Sequence, residues 1–140
     1  QQNNMLTEKQ IKLIKHNWNE LRGIDPALVG DVFYRKLFID YPAAKRMFKS
    51  SREEQAMKLI DMLNIIIARL DRIDELTEDI KQLAIRHVQY GVKDEHYNYV
   101  GGALIWTLKQ ASRDEWNQEL EDAWVACYTL LAGAMISATK

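Results

Sequence analysis

Apolar residues recur along this chain every three to four positions, in blocks closed by glycine, proline or a capping residue. Thr7 and Gln10 have the spacing of a capping box, and Ile11, Ile14, Trp18 and Leu21 follow on one helical face until Gly23 stops it. Asp25 predicts the next N-cap, with Pro26 in the first turn, where its missing N–H is not needed. That helix presents Val29, Val32, Phe33 and Leu37. Tyr41-Pro42 breaks the run and predicts a short helix ending around Met47-Phe48. Ser50-Ser51, followed by Glu53 and Glu54, predicts two overlapping capping boxes for a long helix. Its stripe is Ala56, Leu59/Ile60, Leu63, Ile66/Ile67 and Leu70. Thr77 predicts the start of another helix, bearing Ile80, Leu83/Ala84, His87 and Val88 on one side and stopped by Gly91. Asp94 is expected to open a helix with Tyr97, Val100, Leu104 and Leu108. Ser112 with Glu115 is expected to open the last, with Trp116, Leu120, Trp124, Tyr128, Leu131 and Met135. No alternating run lies between hairpin turns, and no internal repeat is present. The expected fold class is all-α, six to eight helices around one core.

Composition narrows the function. A chain of 140 residues, 47% of them apolar, is expected to be one domain with a proper core. Lys and Arg number 19 against 20 Asp and Glu, so no basic excess exists to drive nucleic-acid binding. The single cysteine, Cys127, excludes an internal disulfide and a multi-cysteine zinc site, and its place in an apolar stripe marks a packing residue. Apolar stretches such as Ile65-Ile66-Ile67-Ala68 are far too short to span a bilayer. Residues 1–5 lack the pattern of a secretory signal and are expected to be a flexible extension or a remnant before a natural start at Met5. The expected setting is therefore cytoplasmic, without a membrane partner.

The motifs of hydrolases and phosphate-binding loops are absent, and adjacent acids such as Glu53-Glu54 are explained by their helix start. Three histidines remain. His16 is expected at the surface, and His96 at a helix opening, in a capping or solvent-facing role. His87 lies seven residues after Ile80 and four after Leu83, so it faces inward. With no second inward histidine or carboxylate beside it, it suits a metal that brings most of its own ligands, as haem iron does; the alternative is a satisfied core histidine. Tyr34 and Gln55 are the polar candidates for a facing wall, or else a surface-reaching hydroxyl and a solvated helix start.

Several segments resemble one family at mutually consistent spacings. Phe33-Tyr34-Arg35-Lys36-Leu37-Phe38, Tyr41-Pro42 and Met47-Phe48 resemble the second and third helices of bacterial single-domain haemoglobins and of the globin half of flavohaemoglobins. Arg86-His87-Val88-Gln89-Tyr90-Gly91-Val92, His96-Tyr97 and Val100-Gly101 resemble their proximal helix and following turn, and Ala123-Trp124 with Tyr128 their last helix. The similarity runs from about Leu6 to Ile136, with seven residues from Phe48 to Gln55 and 32 from Gln55 to His87.

The resemblance implies a globin domain over residues 6–140, with its helices packed around a haem pocket. It implies haem b as cofactor and His87 as the proximal iron ligand. Phe48 is implied as the residue wedging the haem, Tyr34 and Gln55 as the distal pair toward O2, Leu59 as the aliphatic residue over the iron, and Tyr97 as the neighbour of His87. Val100 is expected along the haem face, and Arg86, with Lys58, either at the haem propionates or in solvent. The implied function is reversible O2 binding for storage, delivery or scavenging, with CO and NO as further ligands, in a monomer or weak homodimer. The alternative is a nitric oxide dioxygenase served by a separate reductase, with no flavin or nicotinamide domain expected to follow. Relatives with a proximal charge relay place a glutamate near the end of the last helix, where this chain reads Ser137-Ala138-Thr139-Lys140. His87 is accordingly expected to donate its free N–H to a backbone carbonyl near Leu83, and peroxidase-like turnover is expected to be weak.

Overall fold

The structure, a computed structural model, describes residues 6–48 and 50–140. The expected flexible extension, residues 1–5, lies outside the described residues. Six α-helices form the described chain: α1 (Glu8–Leu21), α2 (Pro26–Asp40), α3 (Arg52–Ala68), α4 (Thr77–Gln89), α5 (His96–Ser112) and α6 (Gln118–Ala138). Three 3-10 segments, Pro42–Met47, Leu70–Leu76 and Arg113–Glu115, connect them. The all-α expectation holds, and no strand occurs among the described residues.

Local chemistry sets the first three helix starts. Thr7 and Gln10 form the full capping box, each side chain accepting the other's backbone N–H. Asp25 accepts from Ala27 N–H, and Ser51, the nearer of the two candidate serines, accepts from Glu54 N–H. The end of α4 is equally local. Gly91 takes φ +89°, Val92 N–H reaches back to His87 O at 3.0 Å, and Gly91 N–H to Val88 O at 3.0 Å. These paired bonds close the helix and leave His87 in its last turn.

A further start falls where expected: α4 begins at Thr77, whose hydroxyl donates to Asp74 O. Two others are corrected. Asp94 does not open α5, which begins at His96; the Asp94 carboxylate is drawn to Lys140 Nζ at 2.7 Å. Ser112 closes α5 instead of opening α6, because its hydroxyl is buried and accepts from Asn17 Nδ2. The true cap of α6 is Asn117, accepting from Leu120 N–H at 2.8 Å, so Trp116 stands before the helix and donates to Glu121.

Packing then arranges the helices around the site. α2 lies against α3 and α5, α4 and α1 against α6, and α5 against α6. At the crossing of α2 and α3, Gly30 faces Ala56 so closely that any Cβ on Gly30 would overlap that of Ala56. The core is held in register by a buried polar chain: Trp124 Nε1–H donates to Asn17 Oδ1 at 2.9 Å, and Asn17 Nδ2 donates to Ser112 Oγ at 3.0 Å. Asn17→Ala strands both partners in the core, and should lower unfolding free energy by about 2–4 kcal/mol. Urea unfolding of wild type and variant checks this.

Candidate functional site

His87 sits in the last turn of α4, half-buried, with its ring 6.4 Å from that of Tyr97 and inclined by 21°. Its Nδ1 lies 2.8 Å from Leu83 O, one turn back. A carbonyl oxygen only accepts, so Nδ1 carries the proton and Nε2 presents a lone pair. Nε2 has no hydrogen-bond partner among the described residues. Burial pushes the imidazole pKa below its ordinary 6.5, with the Leu83 bond opposing this and Arg86 adding to it. Between the lowered and the ordinary pKa the unfolded chain binds more protons than the folded one, so stability falls as pH falls through that window. A histidine NMR titration of haem-free protein should give a His87 midpoint below 6.5.

Tyr97, in the first turn of α5, is fixed from α6: Tyr128 Oη–H donates to Tyr97 O at 2.6 Å. The Tyr128 ring fits because residue 101 is glycine; a Cβ there would stand 2.5 Å from a ring carbon.

A second group gathers where α2 meets α3. Tyr34 is 4% exposed, and its ring lies 5.1 Å from Phe48 and 5.9 Å from Phe38. Burial raises its phenol to about 12, so the hydroxyl stays neutral and can donate. It donates to the backbone carbonyl of Gln55 at 3.3 Å, a long bond, rather than to the side-chain amide. Leu59 is half-buried one turn further along α3. Sequence reasoning placed Tyr34, Phe48 and Gln55 together, and the structure brings them together, though through the main chain.

The helices that carry Gln55 and His87, α3 and α4, do not pack on each other. α3 and α4 are joined at one end by the Leu70–Leu76 segment, which touches both, and have no packing contact along their lengths. Phe48, Leu59, Leu83, Tyr97 and Val100 all lean on the core yet remain only half-covered. Half-covered apolar walls, a neutral imidazole with a free lone pair and a neutral hydroxyl donor are what a flat, apolar, iron-centred macrocycle requires. The residues present therefore fit haem. Arg86 and Lys58 are both exposed.

Elsewhere, one expectation needs correction. His96 is buried, not solvent-facing, because both ring nitrogens find partners, Lys93 N–H and the Tyr41 hydroxyl. Nothing local in the sequence signals the Tyr41 contact, which spans 55 residues. His16 is exposed as expected; its ring gathers with Glu20 and Glu115 on the surface, ligand atoms within 4.8 Å of one another. Cys127 is buried, with its thiol pushed up to about 12, and is inert. Among the described residues no helix is long and apolar enough to cross a membrane.

Comparison with known proteins agrees with this geometry. The family model described as Globin matches residues 31–135. A flavohemoprotein of Vibrio cholerae is 30% identical over 94% of this chain, although the chain spans only 34% of that protein. An uncharacterized globin-like protein of Aquifex aeolicus is 31% identical, with 97% of this chain and 96% of that protein covered. The solved structure of a bacterial globin from Campylobacter jejuni superposes with a TM-score of 0.82 at 27% identity, covering 94% of this chain and 95% of that one. With its helices and its matches in agreement, this chain belongs to the globin family.

Proposed function

We propose that residues 6–140 form one globin domain that holds haem b through Nε2 of His87 and binds O2 reversibly inside the cell. The observation that carries this reading is the His87 ring, fixed by Leu83 O at 2.8 Å so that its free nitrogen is the one left to ligate. Haem held by His87 would supply the iron that takes O2, CO or NO. On the proximal side, Leu83 sets the tautomer and Tyr97 keeps the ring from rotating. On the other side, Phe48 and Leu59 exclude water, and the Tyr34 hydroxyl is the donor for a polarised diatomic ligand. Arg86, exposed one residue before His87, is the cation nearest in sequence for the haem propionates. Haem-loaded, reduced protein should change its absorption spectrum on exposure to air and recover it under argon through repeated cycles. Irreversible oxidation on first contact with air would defeat the reading.

The likeness to a flavohemoprotein favours a second reading, nitric oxide dioxygenation with electrons from a separate reductase. Steady NO consumption in air that continues only while a reductase and its nicotinamide cofactor are supplied would select it. Peroxidase chemistry fits less well. The His87 N–H goes to a neutral carbonyl instead of a carboxylate, so the ring is a weaker electron donor. Peroxidase turnover should be weak and hardly altered by Tyr97→Phe; a large loss of rate in that variant would reveal a proton or electron path through Tyr97.

A further inference from the structure

On the surface of α1, His16 and Glu20 stand one helical turn apart, with His16 Nε2 3.6 Å from Glu20 Oε2. Glu115 reaches the same place from a distant part of the chain, as the last residue of the 3-10 segment between α5 and α6. The three side chains offer one ring nitrogen and two carboxylate oxygens, all within 4.8 Å of one another, and all three residues are exposed. Their approach is set by the core beneath them. Asn17, next to His16, donates to Ser112 Oγ at 3.0 Å, and Ser112 lies three residues before Glu115. Trp116, just after Glu115, is fixed by its bond to Glu121 at 2.9 Å. Anchors on both sides of the cluster keep α1 and the segment from drifting apart.

Two carboxylates share this spot without a lysine or arginine between them. Glu20 has only the His16 ring as an ion-pair partner, and Glu115 has none among the described residues. The Glu20 carboxyl beside it holds Glu115 above the usual carboxylate range, while His16 and the Asn17 amide pull the other way. The histidine separates this set from a solvated acidic patch. Imidazole nitrogen with carboxylate oxygen suits a divalent transition ion, whereas magnesium and calcium favour shells of oxygen alone. Zinc takes nitrogen and oxygen ligands at about 2.0–2.2 Å, so neighbours around a tetrahedral ion stand roughly 3.3–3.5 Å apart. His16 and Glu20 already have nearly that spacing, and small rotations of exposed side chains close the rest. We propose that His16, Glu20 and Glu115 form a surface site for one divalent transition-metal ion of the zinc class, a staple joining α1 to the corner between α5 and α6. The ion replaces a repulsion between carboxylates with a shared attraction. Three protein ligands leave its remaining position to water. This site is separate from His87 and does not rest on the haem reading.

The test is a calorimetric titration of tag-free protein with zinc chloride, in a non-chelating buffer at about pH 7.5. Wild type and His87→Ala should each bind one zinc at this site, and His16→Ala and Glu115→Gln should weaken it by about ten-fold or more. Thermal unfolding at matched haem content gives a second readout whose sign reverses. Without metal, Glu115→Gln should melt no lower than wild type, because it relieves a contact between like charges. With saturating zinc, wild type should melt higher, and Glu115→Gln should lose most of that rise, since Glu115 alone ties the ion to a second element. Excess magnesium should reproduce neither effect. No saturable zinc binding would overturn the site. Equal zinc affinity in wild type and Glu115→Gln would reduce it to a pair on α1 and overturn the staple. Binding that survives in His16→Ala and vanishes in His87→Ala would place the ion at His87 and overturn it as well.

Discussion

His87→Ala should emerge from purification with little or no haem, whereas His16→Ala and His96→Gln should retain it at wild-type content. The expectation follows from geometry more than from the count of histidines. Of the three imidazoles, His87 alone is anchored on one nitrogen and without a partner on the other, on a helix that does not pack on α3. His96 has both nitrogens taken, and His16 faces solvent beside Glu20 at 3.6 Å. Removing the ring leaves the half-covered apolar wall intact, so haem should still visit the slot without being held. Added imidazole should therefore restore a retained haem in His87→Ala, which separates lost ligation from a collapsed fold. Failure of imidazole to rescue, with a normal circular dichroism spectrum, would place the iron ligand elsewhere.

Tyr34→Phe should speed O2 release by about ten- to a hundred-fold, the loss of a hydrogen bond to a partly charged acceptor worth about 1.5–3 kcal/mol. The structure points to the lower part of that range. The hydroxyl already donates to Gln55 O at 3.3 Å, so a ligand gains only the difference between its own bond and this long one. O2 arrives as a neutral molecule, and its rate of binding should change little. CO accepts hydrogen bonds poorly, so its release should respond much less, and autoxidation should quicken as bound O2 loses its donor. Gln55→Ala keeps the backbone carbonyl that Tyr34 uses, and should alter O2 release far less than Tyr34→Phe does. Stopped-flow measurement with both gases decides this. Equal acceleration of O2 and CO would make Tyr34 a steric gate, and no change for either would show that its hydroxyl never leaves Gln55.

The fold was legible wherever a helix end is made from neighbours in sequence. Thr7 with Gln10, Asp25 with Ala27, and Gly91 with its left-handed φ each satisfy backbone groups within a few residues, so short spacings sufficed. Ser112 failed for the opposite reason. Its spacing to Glu115 copies a capping box, but its hydroxyl is claimed by Asn17, 95 residues away, and the duty passed to Asn117. Asp94 failed in the same way, drawn off by Lys140.

The candidate site divides along the same line. The inward place of His87 follows from helical period, since residues four apart share a face, and its bond toward Leu83 was expected from the glutamate that the resemblance finds missing. The missing carboxylate near the end of α6 was equally readable. The target of the Tyr34 hydroxyl was not: a main-chain carbonyl carries no side-chain signature, and only the crossing of α2 over α3 at Gly30 and Ala56 brings it within reach. The burial of His96 was hidden for the same reason, because its acceptor Tyr41 is set by tertiary packing.

If His87 holds one haem, titrating haem-free protein with haem should raise an intense absorption band near 400 nm that saturates at about one haem per chain, with a ferrous spectrum characteristic of histidine ligation. A band that never develops, or one that develops identically in His87→Ala without imidazole, would show that His87 does not hold haem.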